Sequence, residues 1–348
     1  MVVDHLVAQA GRPRPVCVVA RDDDASLTGV VQELHALSAP VFRFDLGSFP
    51  GRVSLAAQLA GGRIVGTLEA DGRRVHLEDI GAILWWYPSR PRISPEGLDA
   101  GHAEWLSREA AAGLAGTLAA LDCLHVNHPV HTDAAQNKPH ALAQAAAVGL
   151  RVPATWIGND AADARRAVDD FGQAVCKSLV LPWVETADGP LAFFTSPVSP
   201  GDLDESVAAA AHQFQQRIHA MYEVRLIVVN GMFFAARLTA PAHSTDVRAH
   251  CDELVYDYID VPDEVRFGVV RLMHRLHLEY AALDLLVDHQ ARWWLVDVNP
   301  AGQWGFVEGN LPDLTISARL AAVLADTRLR RRRIPASHAL PLTLERRR

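Results

Sequence analysis

Lysine is almost absent from this chain. Of its 33 basic residues only Lys138 and Lys177 are lysines, and the remaining 31 are arginines. Where any positive surface charge will do, such a sequence uses guanidinium. A retained lysine therefore marks a place that wants a compact ammonium on a slim stem, which the flat arginine fork fits badly. The plain alternative is two solvated side chains left by composition. Cysteine is also scarce: Cys17, Cys123, Cys176 and Cys251 are far apart and form no metal-ligand pair, so buried free thiols in a reducing compartment are expected. No apolar run approaches bilayer length, and the first fifteen residues lack the layout of a signal peptide, which argues against a membrane. The body also lacks net positive charge. Beyond Asp326 eight arginines and one glutamate give +7, so a formal total of −8 leaves −15 on the preceding 326 residues. An acidic body with a basic tail is not the layout of a nucleic-acid enzyme.

What is present alternates between strand and helix. Val16–Ala20 forms a short apolar strand, Ser26 is placed to cap a helix through Leu37, and Pro40–Phe44 returns as a strand, a β-α-β opening. A hairpin is expected over residues 61–77, a strand at Ala82–Tyr87, and an alanine-rich helix over Glu104–Leu121. Residues 150–184 read strand, helix, strand, with Lys177 on the last, and Lys138 opens a helix that closes at Gly149. Asn230-Gly231 between two apolar runs is a strong hairpin signal. A helix over Asp263–Leu276 leads into a hairpin at Ala282–Asn299, and a helix over Leu314–Leu324 closes the body. The fold class is α/β (α+β). The divisions are a flexible start at 1–15, an N-terminal lobe at 16–125, a central lobe at 126–212, a C-terminal lobe at 213–326 and an arginine-rich tail at 327–348.

The most specific chemistry lies in the late hairpin. Asp297 and Asn299 are two apart on a strand and leave the same face. If the turn near Asp288 holds an even number of residues, Asp284 joins them from the partner strand. Three short oxygen ligands on one rigid face suit Mg²⁺, which completes its shell with water and nucleotide phosphate. Both acids interrupt apolar runs, where an unpaired carboxylate is expensive. Upstream, Gln216 and Ile218 lie on an expected linker that presents main-chain groups to an adenine edge, and Glu223 offers a carboxylate to ribose hydroxyls. Arg225 and Arg237, on the two strands of the Asn230-Gly231 hairpin, are the candidate catalytic cations of a phosphate-bearing cleft. His125, His128 and His131 are expected to be loop residues rather than a zinc site, because their spacing crosses strand faces and Pro129 breaks the segment. Trp293-Trp294 is expected to be core.

The order Lys138, Lys177, Gln216 with Glu223, and Asp284 with Asp297-Val298-Asn299 resembles the ATP-grasp ligases. Asp297 stands where that family usually has glutamate, and Gln216 where many members have an acid. The likeness narrows to the ATP-grasp maturases of ribosomally made peptides, the graspetide (microviridin-type) macrocyclases, in their actinobacterial branch. It is carried by Val18–Asp24, Pro40–Asp45, Trp85–Ser89, Val126–Pro129, Asn137–Pro139, Gly149–Thr155 and Val298–Gly305. Trp86 and its neighbours replace the Arg-Arg-Pro of better-known relatives. The resemblance implies three lobes with ATP and Mg²⁺ between the central and C-terminal ones. It implies a cytoplasmic ligase that activates Asp or Glu side chains of a precursor peptide (leader plus core) as acyl phosphates. Ring closure by a hydroxyl or amine then gives ω-ester or ω-amide crosslinks. Residues Thr186–Pro190 are a candidate lid, and homodimerisation is an open option. The rival readings are a ligase of amino acids or small peptides, or a weakly catalytic grasp-fold binding protein.

Overall fold

The computed structural model describes residues 13–94, 96–180, 183–186, 189–240 and 253–326. The arginine-rich tail, Cys251 and the first twelve residues lie outside the described residues, as do Ala187 and Asp188 at the centre of the candidate lid.

The N-terminal lobe runs through β1 (Val16–Ala20), α1 (Thr28–Ala36), β2 (Val41–Phe44), β3 (Val53–Ala60), β4 (Arg63–Ala70), β5 (Arg73–His76), β6 (Ala82–Trp86), α2 (Ala100–Ala119) and β7 (Leu124–Val126). β2, β1, β6 and β7 form a parallel sheet in that order. Every residue of β1 and β6 is buried, as expected for strands covered on both faces. Asp24 rather than Ser26 supplies the first cap, accepting from the Ser26 amide at 2.8 Å ahead of a short 3-10 turn. The hairpin expected at 61–77 supplies two strands, β4 and β5, of a three-stranded antiparallel sheet, β3-β4-β5.

Two helices follow, α3 (Pro129–Gln136) and α4 (Lys138–Ala147), joined at Asn137, whose side chain accepts from the His140 amide at 3.0 Å. The central lobe holds β8 (Thr155–Gly158), α5 (Ala161–Asp170), β9 (Ala174–Lys177), β10 (Trp183–Thr186), β11 (Gly189–Ala192), β12 (Ser196–Val198) and β13 (His212–Gln216). Its sheet has the order β12-β9-β13-β8, with β10 and β11 a separate hairpin. Ala174, Phe214 and Cys176 face α5, which leaves Val175, Lys177, Gln213 and Gln215 on the other face.

The C-terminal lobe comprises β14 (Ala220–Val229), β15 (Met232–Thr239), β16 (Val255–Tyr258), α6 (Asp263–Leu276), β17 (Tyr280–Asp288), β18 (Trp293–Asn299), α7 (Gly305–Asn310) and α8 (Ile316–Ala325). Its antiparallel sheet has the order β16-β15-β14-β17-β18. One face, through Val224, Leu226, Leu283, Leu285 and Leu295, packs on α4 and α6. The opposite face, through Ile227, Val229, Tyr280 and Ala282, packs on the N-terminal lobe, to which α8 returns against α1. Trp86, Tyr280 and Trp304 meet there with ring centroids 4.8–5.7 Å apart.

Asn127 locks these lobes together. Its Nδ2 donates to Tyr280 O and Pro300 O, both at 2.7 Å, and its Oδ1 accepts from the amides of Glu279 and Tyr280 at 2.8 and 3.0 Å. A buried backbone group stripped of its partner costs about 1–3 kcal/mol. Asn127→Ala strands several at once, so we expect a loss of roughly 3 kcal/mol or more in urea unfolding, larger than for any exposed substitution.

At the end of β17 burial raises the Asp288 carboxyl, but donors outweigh it and hold its pKa well below the usual carboxylate range. They are Trp294 Nε1 at 2.9 Å, Arg292 Nε at 2.7 Å and the amides of Arg292 and Gln290. A depressed folded pKa contributes stability that is complete above the unfolded value of about 4 and disappears as pH falls below it. Asp288→Asn is therefore expected to destabilise at neutral pH and to flatten the acid limb of stability against pH. Denaturant titrations over that range check it.

Candidate active site

The sequence places Asp284 and Asp297 opposite each other only if the intervening turn is even, and the turn is odd. The amide of Asp288 donates to Arg292 O, leaving His289, Gln290 and Ala291 in the turn. From there Val287 pairs with Trp293 and Leu285 with Leu295, a phase that would send Asp297 to the face away from Asp284. A β-bulge at Val296 restores it: beyond the irregularity Asp284 pairs with Asp297 and Ala282 with Asn299. The extra residue lets Leu295 and Val298, three apart, both enter the same core while Asp297 and Asn299 leave on the opposite face.

Across β14, β17 and β18 the paired residues Arg225, Asp284 and Asp297 form a row, with Glu223 on the same face of β14. Arg225 Nη1 donates to Asp284 Oδ1 at 2.7 Å and Nη2 to Gln303 O at 2.8 Å. Burial alone would lower the Arg225 pKa, but the charge and hydrogen bond of Asp284 outweigh it and raise it. The Asn-Pro-Ala-Gly-Gln-Trp segment explains itself here. A Cβ on Gly302 would lie 2.5 Å from Ala282 Cβ and 2.7 Å from Arg225 Nη2, so only glycine lets the chain pass. Asn299 Oδ1 accepts from the Ala301 amide at 3.1 Å and from the Tyr87 hydroxyl at 3.3 Å. Tyr87, at the end of β6 with φ +44°, is thus an N-terminal-lobe contact to this cluster. Burial raises its phenol pKa.

Lys177 faces the same cluster from the central sheet. Burial pushes its ammonium below the ordinary lysine range, Asp297 opposes that most strongly, the charge of Lys138 adds to the depression, and Asp284 and Glu223 counter it. Lys138 Nζ donates to Ser178 O at 2.6 Å, so the two lysines of the chain meet at the end of one strand. Gln213, paired with Lys177, is buried, and its Oε1 has no hydrogen-bond partner among the described residues. Gln216 ends β13 with its amide on Ala154 O at 2.8 Å, and residues 217–219, including half-buried Ile218, cross to β14.

Arg237 is the exception. Ala236 pairs with Arg225, so Arg237, paired with Val224, leaves by the opposite face. Its guanidinium lies 4.4 Å from the Tyr222 ring centroid and its Nε donates to Thr239 Oγ1 at 3.3 Å. The structure separates it from the cleft that the sequence reading gave it. The histidines differ too: His125 lies on β7 and His131 within α3, in a ladder of rings with His128 and His277 at centroid spacings of 4.8–5.3 Å. Burial pushes the His125 pKa down to about 4. Trp293 is core, whereas Trp294 is half-buried under Arg151.

Among the described residues no helix is long and apolar enough to cross a membrane. Residues 16–133 match the MvdD pre-ATP grasp domain. No curated protein sequence matches the chain. Among solved structures, a RiPP-associated ATP-grasp ligase of Chryseobacterium gregarium, in complex with ADP and a leader and core peptide, superposes with a TM-score of 0.82 at 22% identity, covering 92% of this chain and 98% of that one. The macrocyclase MdnC of Microcystis aeruginosa MRC, bound with precursor peptide MdnA, gives 0.79 at 25% identity over 89% and 98%. The ATP-grasp ligase PsnB, complexed with a phosphomimetic variant of its minimal precursor, Mg and ADP, gives 0.72 at 20% over 91% and 99%. The likeness reaches the peptide macrocyclases without selecting a branch among them. With an MvdD-type pre-ATP grasp domain matched over residues 16–133 and those likenesses over nearly its whole length, the chain has the ATP-grasp ligase fold.

Proposed function

We propose that this chain is an ATP-dependent ligase that crosslinks a ribosomal precursor peptide through its Asp or Glu side chains, forming ω-ester or ω-amide rings in the cytoplasm. The observation that carries the reading is Lys177, desolvated on one sheet, facing the Arg225-Asp284-Asp297 row on another. Two opposed sheets then present ammonium groups from one side and carboxylates from the other, the arrangement a metal-bound polyphosphate needs. ATP enters as a substrate. Lys138 and Lys177 would hold its phosphates, the linker through Gln216 and Ile218 its adenine, and Glu223 its ribose.

The donor set fits magnesium. Asp297 and Asn299 project from one face beside Asp284, whose Oδ1 is already oriented by Arg225. Bound there, Mg²⁺ would neutralise phosphate charge. A peptide carboxylate oxygen attacks the γ-phosphorus, the bond to the β-phosphate oxygen breaks, and ADP leaves. A hydroxyl or amine of the same peptide then attacks the acyl phosphate, loses its proton and expels phosphate. Arg225 is the catalytic cation we retain. Arg237, on the far face, is left without a role in phosphate chemistry. Closure over the cleft must exclude water so that the acyl phosphate meets the peptide nucleophile first, and the β10–β11 hairpin is our candidate for that cover.

The test uses a short Thr/Asp-rich or Glu-rich precursor encoded beside this chain, incubated with ATP and Mg²⁺ and weighed by mass spectrometry. Loss of one water mass per ring is expected. A gain in mass would mean intermolecular ligation, and an unchanged peptide with no ADP formed would remove the reading.

A further inference from the structure

Tyr87 touches the metal cluster, yet the chemistry proposed for the cleft gives it no task. It follows β6 and precedes Pro88, a position that proline steers to extended backbone. Its φ is nevertheless +44°, a left-handed value that a bulky residue rarely adopts. The chain is held there from both sides. Trp86 pairs with Ala20 inside the parallel sheet, and the Ser89 amide donates to the buried Asp45 Oδ1 at 2.7 Å. Strain kept between two fixed points marks a position whose side chain has a place to be. The phenol ring lies edge-on to Trp86, with centroids 5.6 Å apart, and its hydroxyl reaches Asn299 on the C-terminal lobe.

Lone pairs decide what the hydroxyl does at Asn299. A side-chain amide oxygen has two of them. Asn299 Oδ1 accepts from the Ala301 amide at 3.1 Å and from the Tyr87 hydroxyl at 3.3 Å, so both are committed. A magnesium ion on this oxygen needs one. The Ala301 amide has no room to leave. On one side Pro300 O accepts from Asn127 Nδ2 at 2.7 Å, and on the other Gly302 lies tight against Ala282 and Arg225 while its carbonyl accepts from the Tyr280 hydroxyl. The Tyr87 bond is the weaker partner. It is longer than the about 2.7–2.8 Å usual between a hydroxyl and an oxygen, and it depends on one half-buried side chain.

We propose that Tyr87 is a positioning residue that sets the magnesium affinity of the cluster, its hydroxyl competing with the metal for Asn299 Oδ1. This role rests on the cleft holding a magnesium nucleotide, as proposed for it. When the metal takes the oxygen, the phenol gives it up and the hydrogen bond between the N-terminal lobe and Asn299 is lost. Linkage is reciprocal, so whatever weakens that bond tightens the metal by the same factor. The backbone on either side of Tyr87 stays pinned, which keeps the ring at the cleft. Its O–H is then a donor from the N-terminal lobe, freed beside the nucleotide when the metal is seated. A merely supporting phenol, one that orients the Asn299 amide for the metal, requires the opposite sign.

Calorimetric titration of ADP into the full chain at a series of Mg²⁺ concentrations reads that sign. Tyr87→Phe removes the hydroxyl and keeps the ring with its edge contact to Trp86, so circular dichroism should be unchanged. Without Mg²⁺ the variant should bind ADP within about twofold of wild type, because the hydroxyl acts on the metal oxygen alone. The Mg²⁺ concentration that gives half of the tightening should fall by roughly three- to tenfold, the worth of one neutral hydrogen bond. A raised magnesium requirement would make the phenol a support for Asn299 and overturn the competition. An unchanged requirement would overturn it too. A wild type whose ADP affinity ignores Mg²⁺ removes the metal site itself and this role with it, a failure seen before any variant is made.

Discussion

Lys177→Met should reduce precursor-dependent ADP release by roughly a thousandfold while circular dichroism and the thermal midpoint stay at or above the wild-type values. Methionine keeps the length of the stem and removes the charge. Because burial already disfavours the ammonium in the free protein, removing it should not destabilise the fold. The loss should fall on the step in which charge spreads over the transferring phosphoryl group. The same depressed pKa gives a pH test with a definite sign. As pH rises, Lys177 deprotonates before an ordinary lysine near pH 10 would, so the alkaline limb of activity should begin early. That limb should move in the Lys138→Met variant, which removes a neighbouring positive charge and lets Lys177 hold its proton to higher pH. Full turnover by Lys177→Met would remove the nucleotide role from this residue.

Asp297→Asn should raise the magnesium concentration needed for half-maximal activity by about ten- to a hundredfold, with the maximal rate partly recovered at high magnesium. The substitution keeps an oxygen at the same place and deletes its charge. It leaves the Arg225–Asp284 ion pair and the Val296 bulge in place, so the local backbone has no reason to move. Asp297 also supplies the largest attraction that keeps Lys177 charged. The variant should therefore lower the Lys177 pKa further and shift the alkaline limb to lower pH. An unchanged magnesium titration would place the metal elsewhere.

Much of this arrangement was legible in the amino-acid order. Scarcity singled out Lys138 and Lys177, and acids interrupting apolar runs singled out Asp284 and Asp297. Turn length alone does not make the acids converge, because the turn is odd and the bulge at Val296 corrects the phase. The signal for that bulge lies in the apolar pattern, where Leu295 and Val298 share a core face at a spacing no regular strand allows. The face on which Arg237 lies follows from counting back from the turn. The two-residue Asn230-Gly231 turn pairs Val229 with Met232, and stepping back from it puts Ala236 beside Arg225. Contacts made by a side chain to a distant segment left less trace. Nothing in the order of residues joins Tyr87 to Asn299, 212 positions apart, or sends the four hydrogen bonds of Asn127 to Tyr280, Pro300 and Glu279. Gly302 looked like a motif letter until the approach of Arg225 and Ala282 gave it a steric reason.

The central claim is that lysines from one sheet and acids from the other hold a single magnesium nucleotide. Calorimetric titration of ADP into the full chain, with and without Mg²⁺, tests it without needing the peptide. One site is predicted, at least about tenfold tighter with Mg²⁺ present. That gain should vanish in Asp297→Asn, and binding itself should be lost in Lys177→Met. Equal ADP affinity with and without Mg²⁺, or wild-type affinity in Lys177→Met, would contradict the account.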